Sequence, residues 1–503
     1  MKKYILSLAL ATTLLMGQTA CTDLDPELYS NLTTANAYSS ESDIEAALVG
    51  VYADINPYPG DAWMYYAGYL VMTTDYATDM GNSTAAGAPT ALSNMTYDEN
   101  NRYFKYNWMC MYQVISNANV LLQNVDGVDM DEDDKELTKA QAKFLRALAY
   151  RDLTDAWGPV PFLTELIDPT TAKDMELTSV ADIEEYIIAD LKECIDILPE
   201  SWSGTDLARA TKGAAATLLG KIYLREHDYS NAKTYFQMVL DLETSGVYEL
   251  ESDFKNVWSE SNKQSKEFIF YILHEATTNG GEIANHFGPY NHPEVANRWQ
   301  YYAVSLPFWR KYSDDDPRKE FFYYDYWGSD DIFYEMPEEG QSEPSDEYSN
   351  LLTNVATMKY SYEMVSESYY DGRTISVFRL SDVILCMAEV QNNLSGPTAA
   401  LPYLNRIRAR AGAPEYTSSE LSSVDEMNQA ILDERGFELV FEFQRRADLL
   451  RFDKYDDTVN EYLQQLNLTS PTTVEERLHY FPYPLDEAEQ NCYMEEANET
   501  RVP

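Results

Sequence analysis

The stretch ATKGAAATLLGKIYLREHDYSNAKTYFQMVL, residues 210–240, decides the fold class. Within it, Leu219, Gly220 and Tyr223 precede Phe236 at the spacing that is typical of tetratricopeptide repeats. In such repeats, small residues let two antiparallel helices approach closely, and aromatic rings fill the space between them. The stretch therefore predicts a helical hairpin.

Weaker patterns extend this hairpin into a scaffold. A fainter copy of the repeat places Ala388, Ala400, Leu404 and Ile407 at similar positions. Apolar residues also recur every three to four positions, as on one face of a helix, in other parts of the chain. These helical stretches are residues 43–52, 108–125 and 140–158.

Residues 241–370 break the helical pattern. Prolines and glycines punctuate long segments there, aromatic residues are dense, and residues 267–272 have the composition of a strand. Long loops in a compact protein usually carry function. The sequence thus predicts a mainly α fold, with a tetratricopeptide-like helical hairpin scaffold, irregular loop-rich insertions and a few short strands.

One domain is expected to follow a removable leader. The leader spans residues 1–20 and the domain spans residues 21–503. The expected parts of the domain are a helical scaffold at about 35–240 and 371–470, a loop-rich insertion at about 241–370, and a C-terminal segment at 471–503.

The N-terminus has the features of a lipoprotein signal peptide. Lys2 and Lys3 precede an almost wholly apolar run over residues 5–16, which is too short to span a bilayer. Small residues then lead to Cys21, whose thiol would receive the lipid after cleavage. We therefore expect export and a lipid attachment at Cys21. An ordinary signal peptide that contains a cysteine remains the alternative.

The composition excludes one large class of partners. The chain has 84 Asp and Glu against 37 Lys and Arg, for a formal charge of −47, so it would repel the phosphates of a nucleic acid. It also has 40 tyrosines, more than a helical core needs. This excess favours a surface that stacks on flat apolar faces and forms hydrogen bonds at its edges.

Four cysteines remain after the proposed lipid site. Cys110, Cys194 and Cys386 lie in apolar, helix-like stretches, so we expect buried, unpaired thiols there. Cys492 lies in a polar stretch near the C-terminus, and no two cysteines have metal-ligand spacing. The sequence leaves the disulfide state of all four open.

Residues 434–452 predict the most charged helix. Glu434, Glu438 and Glu442 fall four residues apart and would share one helix face, where like charges repel each other. We interpret the stretch as a structural salt-bridge network. Its expected cations are Arg435, Arg445, Arg446 and Arg451. A carboxylate pair of a glycosidase is the alternative that the sequence leaves open.

Other patterns for catalysis or metal binding are weak. His274 and Glu275 begin an HExxH motif that lacks its second histidine. His286 and His292, with Glu294, form a possible but unfavoured metal set. We therefore predict no catalytic residues, no metal and no cofactor.

Two aromatic clusters form the predicted ligand site. Aromatic rings stack on the C–H faces of sugars, and nearby polar side chains then bond to the hydroxyls. Trp108, Trp157 and Trp309 are instead expected in the core, from the patterns around them. The first cluster is Trp63, Tyr65 and Tyr66 with Asp79 and Asn82; the second is Tyr290, Asn291, Arg298, Trp299 and Tyr301 with Trp327.

Several stretches together resemble the SusD/RagB family of nutrient-uptake lipoproteins. The likeness covers nearly the whole chain after residue 20, in the family's order. The stretches that carry it are FLRALAYRDLTDAWGPVPF (144–162), KEFIFYI (266–272), DDPRKEFF (315–322), VFRLSDVILCMAEVQN (377–392), LNRIRARAG (404–412), ERGFELVFEFQRRADLLRF (434–452) and FPYPLDEAEQN (481–491).

The resemblance implies both a fold and a role. The fold is helical, with four tetratricopeptide-like helix pairs and a ligand site built on the inserted segments. The role is non-catalytic capture of an oligosaccharide at the outer membrane, for delivery to a SusC-like TonB-dependent transporter. Peptide capture, as in RagB-like members, and a helical-repeat scaffold in the envelope remain as alternatives.

Overall fold

The computed structural model describes most of the 503-residue chain. The described residues are 38–57, 64–83, 87–167, 171, 173, 175–275, 283–294, 299–338, 340–360, 372–466 and 468–503. Within them, no helix is both long enough and apolar enough to cross a membrane.

Helices form most of the structure, as the sequence predicts. Many begin at a side chain that caps the first turn, such as Ser179, Thr211 and Ser423, which satisfies backbone N–H groups that have no helical partner. The helices are α1 (Glu41–Asp54), α2 (Ala88–Ser93), α3 (Arg102–Asn124), α4 (Glu132–Trp157), α5 (Val180–Ile197), α6 (Lys212–Arg225), α7 (Tyr229–Thr244), α8 (Phe254–Val257), α9 (Ile283–Phe287), α10 (Leu306–Trp309), α11 (Leu380–Ser395), α12 (Pro397–Ala411), α13 (Val424–Glu438), α14 (Arg445–Arg451), α15 (Tyr455–Gln465), α16 (Leu485–Ala488) and α17 (Cys492–Arg501).

In the described ranges, short strands form three small sheets. A four-stranded sheet has the order β1-β3-β8-β4, β2 pairs with β9, and a three-stranded sheet has the order β5-β6-β7. The strands are β1 (Gly81–Asn82), β2 (Phe268–Ile272), β3 (Ala303–Ser305), β4 (Phe322–Tyr323), β5 (Tyr326–Trp327), β6 (Phe333–Glu335), β7 (Ser349–Leu351), β8 (Asn354–Thr357) and β9 (Ile375–Arg379).

The predicted hairpin is confirmed by α6 and α7, which pack against each other. Gly220 faces the ring of Phe236, and a Cβ atom at Gly220 would lie 2.7 Å from that ring. Phe236 and Ala232 are fully buried between the helices. The small residue therefore permits the close approach for which the repeat pattern selects it. Helices α11 and α12 form a second hairpin, which packs on α7.

The core contains the residues expected there. Trp108, Trp157 and Trp309 are buried, and the Trp157 indole N–H donates to the carbonyl of Pro482 at 3.0 Å. That bond ties the C-terminal segment to α4. Free cysteines at positions 110, 194 and 386 are also buried, whereas Cys492 is free and exposed.

The sequence predicts that residues 434–452 form one highly charged helix, but this prediction is wrong. Helix α13 ends at Glu438, and α14 begins only at Arg445. Phe441 and Phe443 between them have φ values of 56° and 65°, which are rare for bulky residues. Glu442 therefore does not share a helix face with Glu434 and Glu438.

The salt-bridge network itself is present, but other cations supply it. Glu434, Glu438 and Glu442 are all buried, and none of them pairs with the four arginines of their own stretch. Their partners come from distant parts of the chain because a buried carboxylate needs a cation that the fold brings to it. These partners are Arg318, Lys359, Arg379, Arg408 and Arg410.

Arg379 is the centre of this network. Its guanidinium lies 2.6 Å from Glu438, 2.6 Å from Glu442 and 2.7 Å from Glu267, and its side chain is fully buried. Burial alone would raise the pKa of Glu438, but the charges of Arg410, Arg379 and Arg318 outweigh it and lower that pKa. Helix α13, strand β2 and the break before α14 are therefore joined at one cation.

We predict that Arg379→Met lowers the free energy of unfolding by about 3–5 kcal/mol at pH 7, because it leaves buried carboxylates without a cation. Urea unfolding followed by circular dichroism measures the loss. The lowered pKa of Glu438 means that its contribution is complete above the usual glutamate pKa of about 4.3 and is lost as the pH falls. The difference between the two proteins should therefore shrink in acid.

The matched control is Lys105→Met, which removes an exposed cation that pairs with Asp486. It should leave the unfolding midpoint unchanged. An Arg379→Met protein as stable as the parent at pH 7 would contradict a structural role for the network.

Candidate functional site

The loop-rich insertion contains a small sheet with exposed aromatic side chains. In this sheet β5 pairs antiparallel with β6, and β6 pairs parallel with β7. Trp327 lies opposite Phe333, and their rings are 5.4 Å apart. The backbone N–H of Phe333 donates to the carbonyl of Tyr348 at 2.7 Å, which places Tyr348 beside the same strand.

A neighbouring loop, residues 290–294, is bonded to this sheet. The hydroxyl of Tyr326 donates to the carbonyl of Tyr290 at 3.0 Å, and the amide of Ser329 donates to the carbonyl of Asn291 at 2.7 Å. The Asn291 side chain donates to Asp330 at 3.0 Å. The sheet and the loop therefore form one hydrogen-bonded unit.

Three aromatic side chains of this unit are open to solvent, with exposed fractions of 54% for Tyr290, 58% for Trp327 and 57% for Tyr348. We call these three residues the aromatic platform. The sequence predicted Tyr290 and Trp327 but missed Tyr348. The one signal for Tyr348 was a single aromatic residue in the polar run SEPSDEYSN, residues 342–350.

Polar groups lie beside the platform. The carboxylate of Asp330 accepts bonds from Asn291 and from the hydroxyl of Tyr334, at 3.0 and 2.9 Å. Gly328 starts the turn that holds Asp330, and a Cβ atom there would lie 2.3 Å from the Asp330 carboxylate. The turn therefore requires glycine to place these groups next to the rings.

A second aromatic group surrounds Arg102. Its guanidinium donates to the hydroxyls of Tyr103 and Tyr301, at 3.1 and 2.9 Å. The half-buried Trp299 stands edge-on to His286, with ring centres 5.1 Å apart. Burial, with a smaller effect of Arg102, lowers the pKa of His286 to about 3, so this histidine is neutral at physiological pH. We call Arg102, Trp299 and Tyr301 the arginine corner.

The arginine corner is connected to the platform through Gln300, next to Trp299 and Tyr301. Its side chain accepts a bond from the Tyr290 amide at 3.0 Å and donates to Asn354 at 2.8 Å. The structure therefore brings together most of the second predicted cluster: Tyr290, Asn291, Trp299, Tyr301 and Trp327.

Comparison with known proteins gives the family. Residues 252–496 match the model of the SusD family, and residues 24–224 match a model described as starch-binding associating with outer membrane. The chain belongs to the SusD/RagB family. This confirms the resemblance carried by the sequence stretches and the mainly helical fold that it implied.

Relatives and solved structures agree with this family. SusD-like protein P2 of Formosa agariphila is 27% identical over 477 residues, which cover 90% of this chain and 91% of that protein. A SusD-like carbohydrate binding protein from Bacteroides fragilis has a TM-score of 0.75 at 19% identity, covering 91% of this chain and 99% of its own. Surface glycan-binding protein A from Bacteroides thetaiotaomicron, in complex with laminarihexaose, has a TM-score of 0.73 at 20% identity, with coverage of 91% and 99%.

In this SusD/RagB-family chain, the first predicted cluster is largely internal. Tyr65 and Tyr66 are 0% and 1% exposed, and both hydroxyls donate to Asp152, at 2.6 and 2.8 Å. Their rings have no free face for a ligand, so we do not include them in the site. Asn82 is half-buried in β1, opposite Ala303 of β3, and so lies near Tyr301 of the arginine corner.

Asp79 is likewise a structural residue. It is 1% exposed, and its carboxylate lies 2.9 Å from Arg445 and 2.8 Å from Lys311. Burial alone would raise the pKa of Asp79, but the charges of Arg445 and Lys311 outweigh it and lower the pKa to about 2. Its prediction as a ligand contact does not fit this placement, because both carboxylate oxygens are already occupied.

Some predicted residues lie outside the described part of the SusD/RagB-family chain. These are Trp63, Arg298 and Cys21. Of the possible metal set, His286 packs among aromatic rings and His292 packs against Tyr323 and Tyr326. Among the described residues, no group of three or more His, Cys, Asp or Glu is arranged to hold a metal ion.

We predict that Asp79→Asn destabilises the protein, because it removes the charge that balances buried Arg445. Since the folded pKa of Asp79 is about 2, the loss should be complete above the usual aspartate pKa of about 3.9 and should fade as the pH drops towards 2. Urea unfolding midpoints at pH 7 and pH 3 measure it. Asp486→Asn, at an exposed pair, is the control; equal midpoints for the two variants would contradict this role.

Proposed function

We propose that this protein is a non-catalytic, cell-surface lipoprotein that binds an oligosaccharide or polysaccharide and passes it to a SusC-like TonB-dependent transporter of the outer membrane. The observation that carries the proposal is the aromatic platform. Tyr290, Trp327 and Tyr348 expose large rings from one hydrogen-bonded unit. Large exposed aromatic side chains with polar groups beside them are typical of binding surfaces.

The chemistry of the platform suits a sugar. Rings that are exposed on one side stack on the C–H faces of pyranoses, and they exclude water there. Asn291 and Asp330 lie at the edge and offer an amide and a carboxylate to the hydroxyls. Trp299 and Tyr301 of the arginine corner would extend the contact, with the Arg102 guanidinium as a donor.

The charge around the platform favours an uncharged glycan. Residues 323–350 contain nine Asp and Glu and no Lys or Arg. A carboxylate or sulfate on the glycan would meet these charges at short range, and the repulsion would weaken its binding. A neutral glucan fits the site best. Laminarihexaose, which is bound in the Bacteroides thetaiotaomicron structure, supports such glucans as the first probes.

The three glutamates that a glycosidase could have used are not available for catalysis. Glu434, Glu438 and Glu442 are buried, and each of them forms ion pairs with arginine or lysine side chains. A glycosidase needs a pair of carboxyl groups that reaches the scissile bond. These three residues do not meet that requirement, which supports binding without bond cleavage.

The cellular site is proposed from the N-terminal sequence. The leader and Cys21 predict a lipid anchor, and the description of the matching family model includes association with the outer membrane. An anchored protein that captures a glycan outside the cell needs a transporter to move it inward. The SusC-like barrel is the partner that the family resemblance implies.

We predict that Trp327→Ala and Tyr348→Ala each weaken glycan binding about two- to tenfold, because stacking on one ring contributes about 0.5–1.5 kcal/mol. The measurement is native affinity electrophoresis of the soluble protein, starting at Thr22, in gels that contain laminarin, starch, xyloglucan or alginate. Retardation by a neutral polysaccharide and free migration in alginate are the expected results.

The matched control is Tyr493→Ala, which removes an exposed tyrosine on α17. It should migrate like the parent protein in every gel. Equal retardation of the Trp327 and Tyr348 variants and the parent would refute the platform as the site. Free migration of the parent in all gels, with retention of peptides by the protein, would replace glycan capture with peptide capture.

A further inference from the structure

The helical scaffold contains a cavity whose lining includes no residue of the aromatic platform. It has a volume of about 480 Å³ and lies between α4, α5, α6, α14 and residues 476–480. Ligand sites usually measure about 300–1,000 Å³, whereas a structural water needs far less space. We call it the scaffold cavity. None of the predicted ligand residues within the described part of the chain lines it.

Four cations line the scaffold cavity: Arg151, Lys221, Arg225 and Arg451. Each of them pairs with at least one carboxylate. Arg451, for example, makes two bonds of 2.9 Å to Glu389, which fix the plane of its guanidinium. Cations held in this way are preorganised, so a ligand does not have to order them.

Two of these cations keep unused hydrogen-bond donors. The side chains of Arg151 and Arg451 are each only 9% exposed, and both line the cavity. Among the residues that the structure describes, the Arg151 Nη2 and the Arg451 Nη1 donate to no partner. These N–H groups are therefore free to donate to acceptor oxygens of a ligand that enters the cavity.

The surrounding charge excludes an anion as the acceptor. The carboxylates that pair with the four cations are Asp152, Asp155, Glu184, Asp382, Glu389 and Asp448. At the cavity opening, Glu226, Asp453 and Glu476 are exposed and add further negative charge. A ligand must therefore bring acceptor oxygens without a net negative charge.

The remaining walls are apolar. Ile222, Leu224 and Leu450 contribute aliphatic surface, and Tyr480 places a ring that is 36% exposed at the opening. A ligand that fits these walls needs C–H faces as well as oxygens. Sugars combine both, and their hydroxyls donate to carboxylates as readily as they accept from guanidinium groups.

We propose that the scaffold cavity is a second saccharide site, which takes a neutral mono- or disaccharide, or the end of a longer neutral chain. It is separate from the aromatic platform, so it does not depend on the proposed function of that platform. A protein with both sites would hold a glycan on the platform and a short saccharide in the scaffold.

The test measures binding of small saccharides by isothermal titration calorimetry. The probes are glucose, galactose, mannose, xylose, maltose, cellobiose and laminaribiose, with glucuronate as the charged comparison. We expect at least one neutral probe to bind and glucuronate to bind at least tenfold more weakly than glucose or not at all. Binding of no neutral probe, or stronger binding of glucuronate, would overturn the proposal.

Variants locate any binding that is found. Ala447→Trp fills the cavity without removing an ion pair, and Tyr480→Ala removes the ring at its opening. Both should weaken saccharide binding at least tenfold, whereas Tyr493→Ala, which removes an exposed tyrosine on α17 away from the cavity lining, should leave it unchanged. If the melting curve shows that Ala447→Trp does not fold, the Tyr480→Ala variant alone decides whether the saccharide binds in the scaffold cavity. Binding that Trp327→Ala abolishes and Tyr480→Ala leaves intact belongs to the platform and overturns the proposal.

Discussion

The buried guanidinium of Arg379 is the constraint on which the arrangement of the molecule depends. It pairs with Glu438 at the end of α13, with Glu442 in the segment between α13 and α14, and with Glu267 beside β2. Buried charges of this kind must be matched closely, because an unpaired one costs several kcal/mol. Arg318 and Lys359 come from the insertion and bind the same carboxylates. The network thereby attaches the insertion, which carries the aromatic platform, to the helical scaffold.

How much could be predicted from the sequence depended on whether the signal was local. The α6–α7 hairpin was predictable because Gly220 and Phe236 meet within one repeat. The break before α14 was not, because its stability comes from a distant segment. The Asp75 carboxylate accepts bonds from the backbone N–H groups of Phe443 and Arg445, at 3.2 and 3.3 Å. No pattern within residues 434–452 reveals that acceptor.

The candidate site shows the same limit for single side chains. Residue type located the second aromatic cluster, but it did not separate Tyr65, which is 0% exposed, from Tyr348, which is 57% exposed. Exposure is set by the tertiary fold. The Tyr65 hydroxyl donates to Asp152 of α4 in the interior, whereas the backbone of Tyr348 is bonded to Phe333 in a sheet at the surface. The sequence likewise predicted Asp79 as a ligand contact, because the sequence does not show that the fold brings Arg445 to its carboxylate.

Hydrogen–deuterium exchange with and without laminarihexaose decides whether a glycan binds at the aromatic platform, because it reports where on the chain a ligand protects the backbone. Binding at the platform predicts slower exchange in peptides that cover residues 290–294 and 323–350, where the loop and the platform sheet form one hydrogen-bonded unit. Unchanged exchange in both segments, at a glycan concentration that saturates binding, would contradict a binding site at the platform.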